Sequence, residues 1–182
     1  MKKLLVVVDM QNDFIDGALG TPEAQAIVPK VIDKINNWDG DIWYTQDTHH
    51  PDYLSTNEGK HLPVVHCIRR SHGWEVQKEV DDALRYASCS THVAIFEKGT
   101  FGSYALAQNV ALESYNEITL IGLCTDICVV TNALLLKTVC SEAKVVVDAS
   151  CCAGVTPESH KAALLTMKMC QVDVIGEDKV DD

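Results

Sequence analysis

Short apolar segments recur along the chain, and polar or helix-like segments separate them. Six of these segments are rich in valine and isoleucine and are mostly continuous instead of alternating with polar residues: residues 4–9, 41–46, 92–98, 118–122, 144–149 and 172–176. Strands that are covered on both faces have this pattern, because neither face meets water. The pattern therefore predicts six buried strands.

Apolar residues between these strands recur at the spacing of one helix face. The predicted helices cover residues 22–37, 73–87, 103–114, 126–141 and 157–169. Pro29 interrupts the first of them, so we expect that helix to kink or to begin there. Alternating strands and helices predict an α/β fold of three layers, with a six-stranded, mainly parallel sheet between two layers of helices. The segment from 49 to 71 departs from this alternation and is expected to form a long polar loop.

Length and charge limit the kind of protein and its partners. The 182 residues are expected to form a single domain, residues 1–182. A formal net charge of −11 argues against nucleic acid or an anionic membrane as the main partner. It says little about a small-molecule substrate, because the local charge of a pocket can oppose the net charge. An exposed helix face could support a homo-oligomer, but the pattern does not locate an interface.

Cysteine content and the first segment indicate a cytoplasmic protein. The N-terminal apolar run ends at Asp9 after five residues, which is shorter than the core of a signal peptide or a membrane span. Eight cysteines without an export signal are expected to stay reduced.

Reactive side chains follow several of the predicted strands. In open α/β sheets, ligands usually bind beyond the carboxyl ends of the strands. Four such residues stand at or just after strand ends: Asp9, Asp47, Lys98 and Cys128. Their coincidence at one edge of the sheet predicts a site there, although each residue alone is as well or better explained as structural.

Cys128 is the candidate nucleophile, because it falls in the first turn of a predicted helix. The dipole of a helix N-terminus stabilises a thiolate, and a nearby Lys98 ammonium is expected to depress the thiol pKa further. Asp9 could accept the thiol proton and return it to a leaving group. Backbone N–H groups around residues 124 to 128 could stabilise an oxyanion.

Three motifs carry a resemblance to a known group. VVVDMQNDF (6–14), FEKGTFGSY (96–104) and GLCTDICV (122–129) resemble, in family order, the cysteine hydrolases of the isochorismatase-like superfamily, particularly the nicotinamidase/pyrazinamidase family. The resemblance implies that Asp9, Lys98 and Cys128 form the catalytic triad. It also implies a non-proline cis peptide before Cys124, with the amides of Cys124 and Cys128 forming the oxyanion hole.

A metal site is a second implication of the resemblance. Asp47 and His49 stand two residues apart and His66 follows later, a set that suits zinc, manganese or iron. This spacing alone is a weak signal, but the resemblance places ligands at all three positions, where the metal orients a pyridine ring. Three nearby residues leave the ligand set open: Glu58 as a possible further ligand, and His50 and His61 as competitors.

The resemblance implies hydrolysis of nicotinamide to nicotinate and ammonia through a Cys128 thioester, a step of NAD salvage. Phe14 and Phe101 follow the aspartate and lysine motifs and are candidate walls of the substrate pocket, with core packing an equal alternative. Arg70 stands where a small residue is expected, which leaves the loop after His66 undefined. The rival functions are another amidase of the superfamily acting on carbamoyl or ureido compounds, and a non-catalytic metal-binding scaffold.

Overall fold

The computed structural model describes residues 1–177 and has one sheet of six strands. The strands are β1 (Lys3–Val8), β2 (Asp41–Asp47), β3 (Val93–Lys98), β4 (Glu117–Leu123), β5 (Lys144–Ala153) and β6 (Asp173–Ile175). Their spatial order is β3-β2-β1-β4-β5-β6, and all five neighbouring pairs are parallel. The predicted sheet is thus confirmed, and its pairs are all parallel instead of mainly parallel.

The strand order places a crevice at the centre of the sheet. The chain runs from β1 outward to β2 and β3, then crosses back to β4 on the other side of β1. The connections leaving β1 and β4 consequently diverge, which opens a ligand-binding crevice at the carboxyl ends of these two strands. Gly122 brings them close together: its φ is +114°, and a Cβ there would lie 2.1 Å from the carbonyl oxygen of Val8.

Seven α-helices complete the described part of the chain. They are α1 (Asn12–Ile15), α2 (Pro22–Asn36), α3 (Asn57–His61), α4 (Lys78–Ala87), α5 (Tyr104–Ala111), α6 (Val130–Val139) and α7 (Pro157–Met169). A 3₁₀ turn (Tyr53–Ser55) precedes α3, and a π-helical turn (Thr125–Val129) precedes α6. Side-chain caps set several helix starts; Thr21 accepts a hydrogen bond from Ala24 N–H, with Pro22 at the first helical position.

The sheet separates two apolar cores, as the continuous apolar strands predict. Alternate β1 residues face opposite sides, so that Leu4, Val6 and Val8 pack towards α5, α6 and α7. Leu5 and Val7 pack towards α2 and α4 on the other side. The result is the predicted three-layer arrangement.

Pro29 lies inside α2, which begins at Pro22 as the predicted range does, so the alternative that the helix begins at Pro29 is wrong. Three further local predictions are wrong. Helix α4 begins at residue 78 and not at 73, because the Gln77 side chain caps it by accepting from Val80 N–H. The 49–71 segment holds the 3₁₀ turn and α3 and is not an irregular loop throughout. Strand β5 extends to Ala153 through an irregular register, in which Leu120 pairs with Val147 but Gly122 pairs with Cys152.

No helix among residues 1–177 is long and apolar enough to cross a membrane.

Candidate active site

The crevice brings together three of the predicted side chains, each from a different strand end. Asp9 follows β1, Lys98 ends β3, and Cys128 lies in the turn after β4. The Lys98 Nζ lies 2.7 Å from Asp9 Oδ2 and 3.4 Å from Cys128 Sγ. All three are buried, with Asp9 wholly inaccessible to solvent. An amine, a carboxylate and a thiol in mutual contact can carry out nucleophilic catalysis with proton transfer.

The electrostatics of this cluster correct one prediction. Burial raises the pKa of Cys128 well above its usual value, the negative charge of Asp9 raises it further, and Lys98 only partly opposes them. The expected depression of the thiol pKa is therefore wrong for the protein without a ligand. A thiol with a raised pKa needs a partner that can accept its proton, and Asp9 is a carboxyl group in contact with it.

The charges of the other two groups follow from the same contacts. Burial works to lower the pKa of Lys98, but Asp9, Cys128 and Asp47 together raise it, so this amine stays protonated. Burial raises the pKa of Asp9 despite the opposing charge of Lys98. A buried carboxyl group with a raised pKa holds a proton more readily than an exposed one, which suits a general acid and base.

Thr45 orients Asp9 and was not identified from the sequence. Its hydroxyl donates a hydrogen bond to Asp9 Oδ1 over 2.7 Å and accepts one from Asp9 N–H over 3.2 Å. With Oδ1 held by Thr45, the other carboxylate oxygen faces Lys98. The signal that could have revealed it is a run of polar residues (Thr45, Gln46 and Asp47) closing an otherwise apolar strand, because buried polar groups need partners.

The turn that carries Cys128 is held by neighbouring polar groups. A cis peptide joins Leu123 and Cys124, as the resemblance implies. Neither Thr125 nor Asp126 caps the following helix: Thr125 Oγ1 pairs with His160 Nδ1 over 2.8 Å, and Asp126 accepts from Val155 N–H. The residues after β4 form a π-helical turn, a geometry frequent at functional sites. The oxyanion role of the Cys124 and Cys128 amides stays a prediction.

The predicted metal-binding side chains form a second cluster beside the first. Asp47, His49 and His66 each offer a ligand atom, and these atoms lie within 4.8 Å of one another. All three residues are buried. Asp47 also joins the two clusters, since its Oδ1 lies 3.2 Å from Lys98 Nζ while its Oδ2 faces the imidazoles.

Two observations show that this cluster fits a metal ion. His66 Nδ1 lies 2.8 Å from the Val64 carbonyl, which fixes a tautomer whose Nε2 has a free lone pair. His49 Nε2 is buried and has no hydrogen-bond partner, although it lies 2.9 Å from Asp47 Oδ2. Two imidazole nitrogens and a carboxylate converging on one point are the donor set of zinc, manganese and iron(II) sites.

The alternative ligands separate clearly in the structure. Glu58 Oε1 lies 3.4 Å from His49 Nε2 and 3.9 Å from His66 Nε2, so this residue borders the cluster. His50 and His61 are exposed and stand outside it. Arg70 adopts a φ of +69°, the left-handed conformation for which a small residue is favoured.

Cys128 and the three residues of the metal cluster open on one cavity of about 920 Å³. The thiol, the metal cluster and a set of mainly apolar residues line it: Phe14, Leu19, Leu62, Phe101, Leu123, Ile127 and Val155. Phe14 is buried in the core and tilts against His66, with ring centroids 5.6 Å apart, whereas Phe101 is 45% exposed at the cavity. An apolar cavity with few polar groups is suited to a small, flat organic ligand.

The comparisons with known proteins agree with this arrangement. The sequence profile of the isochorismatase domain matches residues 3–178. The chain belongs to the isochorismatase family. Within this family it is 26% identical to the nicotinamidase of Saccharomyces cerevisiae over 177 residues, covering 72% of this chain and 80% of that protein.

Solved structures of similar proteins have the same fold. The nicotinamidase/pyrazinamidase of Bacillus subtilis is 27% identical, with a TM-score of 0.81 over 96% of this chain and 100% of that one. The pyrazinamidase/nicotinamidase of Streptococcus mutans, at 24% identity, shares the fold with a TM-score of 0.82 over 96% of this chain and 100% of that one.

Proposed function

We propose that this member of the isochorismatase family hydrolyses nicotinamide to nicotinate and ammonia. The observation that carries the proposal is one mainly apolar cavity lined both by Cys128, which contacts Lys98 and Asp9 behind it, and by the Asp47–His49–His66 cluster. The names of the yeast and Bacillus subtilis relatives support the same activity.

The first half of the reaction forms a thioester on Cys128. The sulfur attacks the carboxamide carbon while the thiol proton passes to Asp9, a transfer that the raised pKa of the thiol favours placing in the same step. Asp9 then gives this proton to the amide nitrogen. The C–N bond breaks, ammonia leaves, and a nicotinoyl group remains on the sulfur.

The second half returns the free thiol. Asp9, now a carboxylate again, takes a proton from a water molecule that attacks the thioester carbon. The C–S bond breaks and the sulfur regains its proton from Asp9. Nicotinic acid leaves and loses its remaining proton to solvent, which gives nicotinate. Lys98 stays protonated and balances the negative charge that moves between Asp9 and the sulfur.

The metal-binding residues hold the ring end of the substrate in this proposal. Asp47, His49 and His66 are the proposed ligands, with Glu58 beside them, and zinc, manganese and iron are the candidate ions. A divalent ion bound there supplies a Lewis acid for the pyridine nitrogen or for water that contacts it. Phe14 and Phe101 are the proposed walls that flank the ring.

The remaining expectations belong to the same proposal. The small-molecule amide is the expected partner, and the acidic net charge favours neither nucleic acid nor a membrane. We place the reaction in the cytoplasm, as a step of NAD salvage. A single domain spanning residues 1–182 carries it out, and the size of the protein in solution tests whether it forms a homo-oligomer.

The test is release of ammonia from nicotinamide by metal-replete protein, measured beside protein stripped with a chelator. The proposal predicts turnover that stripping abolishes and added metal restores. No turnover by replete protein, together with turnover of a carbamoyl or ureido compound in a parallel panel, would reject nicotinamide and retain the cysteine hydrolase. No turnover of any amide would favour a metal-binding scaffold.

A further inference from the structure

The turn after Asp9 contacts the metal cluster through two side chains that the reaction does not use. Gln11 is wholly buried, and its side-chain oxygen accepts a hydrogen bond from the Asp47 N–H over 2.7 Å. Its amide nitrogen donates to the carbonyls of Asp47 and Trp74, both over 2.8 Å. The Gln11 side chain therefore hydrogen-bonds to both the N–H and the carbonyl of Asp47 and fixes the main chain from which the Asp47 carboxylate extends.

Asp13 makes a similar main-chain contact with the segment that carries His66. Its Oδ2 accepts a hydrogen bond from the Cys67 N–H over 2.7 Å, one residue after His66. The Cys67 carbonyl in turn accepts from the His49 N–H over 2.9 Å. Asp13 thus sets the backbone that carries His66 and, through Cys67, the backbone that carries His49.

We propose that Gln11 and Asp13 are positioning residues that hold the metal site in its binding geometry before the ion arrives. Two of the three ligands come from a segment outside the sheet, so sheet pairing alone does not place them. A buried amide and a carboxylate that hydrogen-bond to the main chain at Asp47 and Cys67 supply the missing constraint. Groups that orient metal ligands in this way commonly contribute a factor of about 10 to 100 in metal affinity.

The structure offers a matched control for Gln11. Asn132 is also a wholly buried amide with three main-chain hydrogen bonds, which it makes to Ser103 N–H and to the carbonyls of Phe101 and Cys128. Two of these partners lie in the loop after Lys98 and the third in the turn after β4, and none of them is a proposed metal ligand. Replacing either residue by an apolar residue of similar size removes three main-chain hydrogen bonds. For Gln11 two of these bonds are to the proposed metal ligand Asp47, whereas for Asn132 none is to a metal ligand.

The primary experiment measures the affinity of the purified full chain for Zn²⁺ alone, in competition with a chromophoric chelator. His66→Ala defines zinc that binds outside the site. We expect Gln11→Met to bind Zn²⁺ about 10- to 100-fold more weakly than the wild type. We expect Asn132→Leu to keep the wild-type affinity for Zn²⁺, even if its melting temperature falls by as much as that of Gln11→Met.

Two further variants test Asp13 and cover the case in which Gln11→Met does not fold. Asp13→Ala removes the acceptor for Cys67 N–H, whereas Asp13→Asn retains an oxygen that can accept it, so affinity should fall for Ala and recover for Asn. Gly73→Ala removes nothing from Asp13 but adds a Cβ 2.0 Å from its Oδ2. That collision should displace the carboxylate from Cys67 and weaken zinc binding in the same direction.

The inference rests on the metal site of the proposed function but not on its substrate, so zinc affinity separates the two. Wild-type affinity in Gln11→Met and Asp13→Ala would overturn the positioning role and leave the activity proposal standing. An equal loss of affinity in Asn132→Leu would also overturn it, because the effect would then be general loosening. Wild-type protein that binds no Zn²⁺ beyond His66→Ala would overturn the metal site and this inference with it.

Discussion

The two clusters on the cavity are built in different ways. Asp9, Lys98 and Cys128 stand at or just after the ends of three parallel strands, so the sheet itself brings them together. Of the metal cluster, only Asp47 ends a strand, and His49 and His66 lie in the segment between β2 and α4. The first cluster should therefore tolerate the loss of local contacts, whereas the second depends on side chains that fasten the loop to the sheet.

The largest effect is expected from the nucleophile. Cys128→Ala removes the sulfur that forms the thioester, and turnover of nicotinamide should fall by about 10,000-fold or more. Zinc affinity should stay within a few-fold of the wild type, because the metal cluster is held independently. Cys151→Ala, another buried cysteine outside the cavity, is the control and should keep its turnover. Full activity of Cys128→Ala would show that Cys128 is not the nucleophile.

Lys98 tests the link between the clusters, since it contacts Asp9 and Asp47 alike. Lys98→Met leaves two buried carboxylates without their cation, which should lower the free energy of unfolding by about 3 to 5 kcal/mol. In the fraction that folds, turnover should fall by about 1,000-fold. Denaturant titration and steady-state kinetics measure the two effects.

The control for this variant is Lys34→Met, which breaks a partly buried ion pair with Asp148 away from the cavity. It should affect stability less and leave turnover at the wild-type value. If Lys98→Met were as active as Lys34→Met, the cation would have no part in the chemistry.

Thr45 tests how finely the first cluster must be oriented. Thr45→Val keeps the shape but removes the hydroxyl that donates to Asp9, a hydrogen bond to a charged group worth about 1.5 to 3 kcal/mol. We expect kcat to fall about 10- to 100-fold with KM nearly unchanged, because Asp9 acts on protons and does not bind the ring. Thr45→Ser should recover most of the rate; a Ser variant as slow as Val would point to packing.

The smallest effect is expected at the wall of the cavity. Phe101 is nearly half exposed, so Phe101→Ala removes about 1 kcal/mol of apolar contact and should raise KM for nicotinamide about fivefold at unchanged kcat. Steady-state kinetics measures both constants. Tyr104→Ala, which removes an exposed aromatic side chain outside the cavity, should leave both unchanged. A fall in kcat without a change in KM would remove Phe101 from the wall.

The difference between the clusters also explains what the sequence could predict. Continuous apolar runs predict the six strands, and the rule that ligands bind beyond strand ends selects Asp9, Asp47, Lys98 and Cys128 without any structure. The spacing of His49 and His66 relative to Asp47 is too weak to select these two histidines, and the family resemblance was needed. The metal ligands come together only through the fold of the segment between β2 and α4. Its 3₁₀ turn and α3 have no strong hydrophobic pattern that would predict them from the sequence.

Buried polar groups were the hardest features to foresee. Gln11 and Thr45 act through partners more than thirty residues away in sequence, so no local pattern identifies the groups they contact. The raised pKa of Cys128 was missed for a related reason: the helix start and Lys98 are visible in the sequence, but the depth of burial that outweighs them is a property of the fold.

The most direct test of the account is to find the thioester. Metal-replete protein is mixed rapidly with nicotinamide, quenched in acid, and analysed by intact mass and peptide mapping. The account predicts one nicotinoyl group per chain, on the peptide that contains Cys128, and its absence in Cys128→Ala. Steady release of ammonia with Cys128 unmodified at every time point, and undiminished in Cys128→Ala, would contradict it.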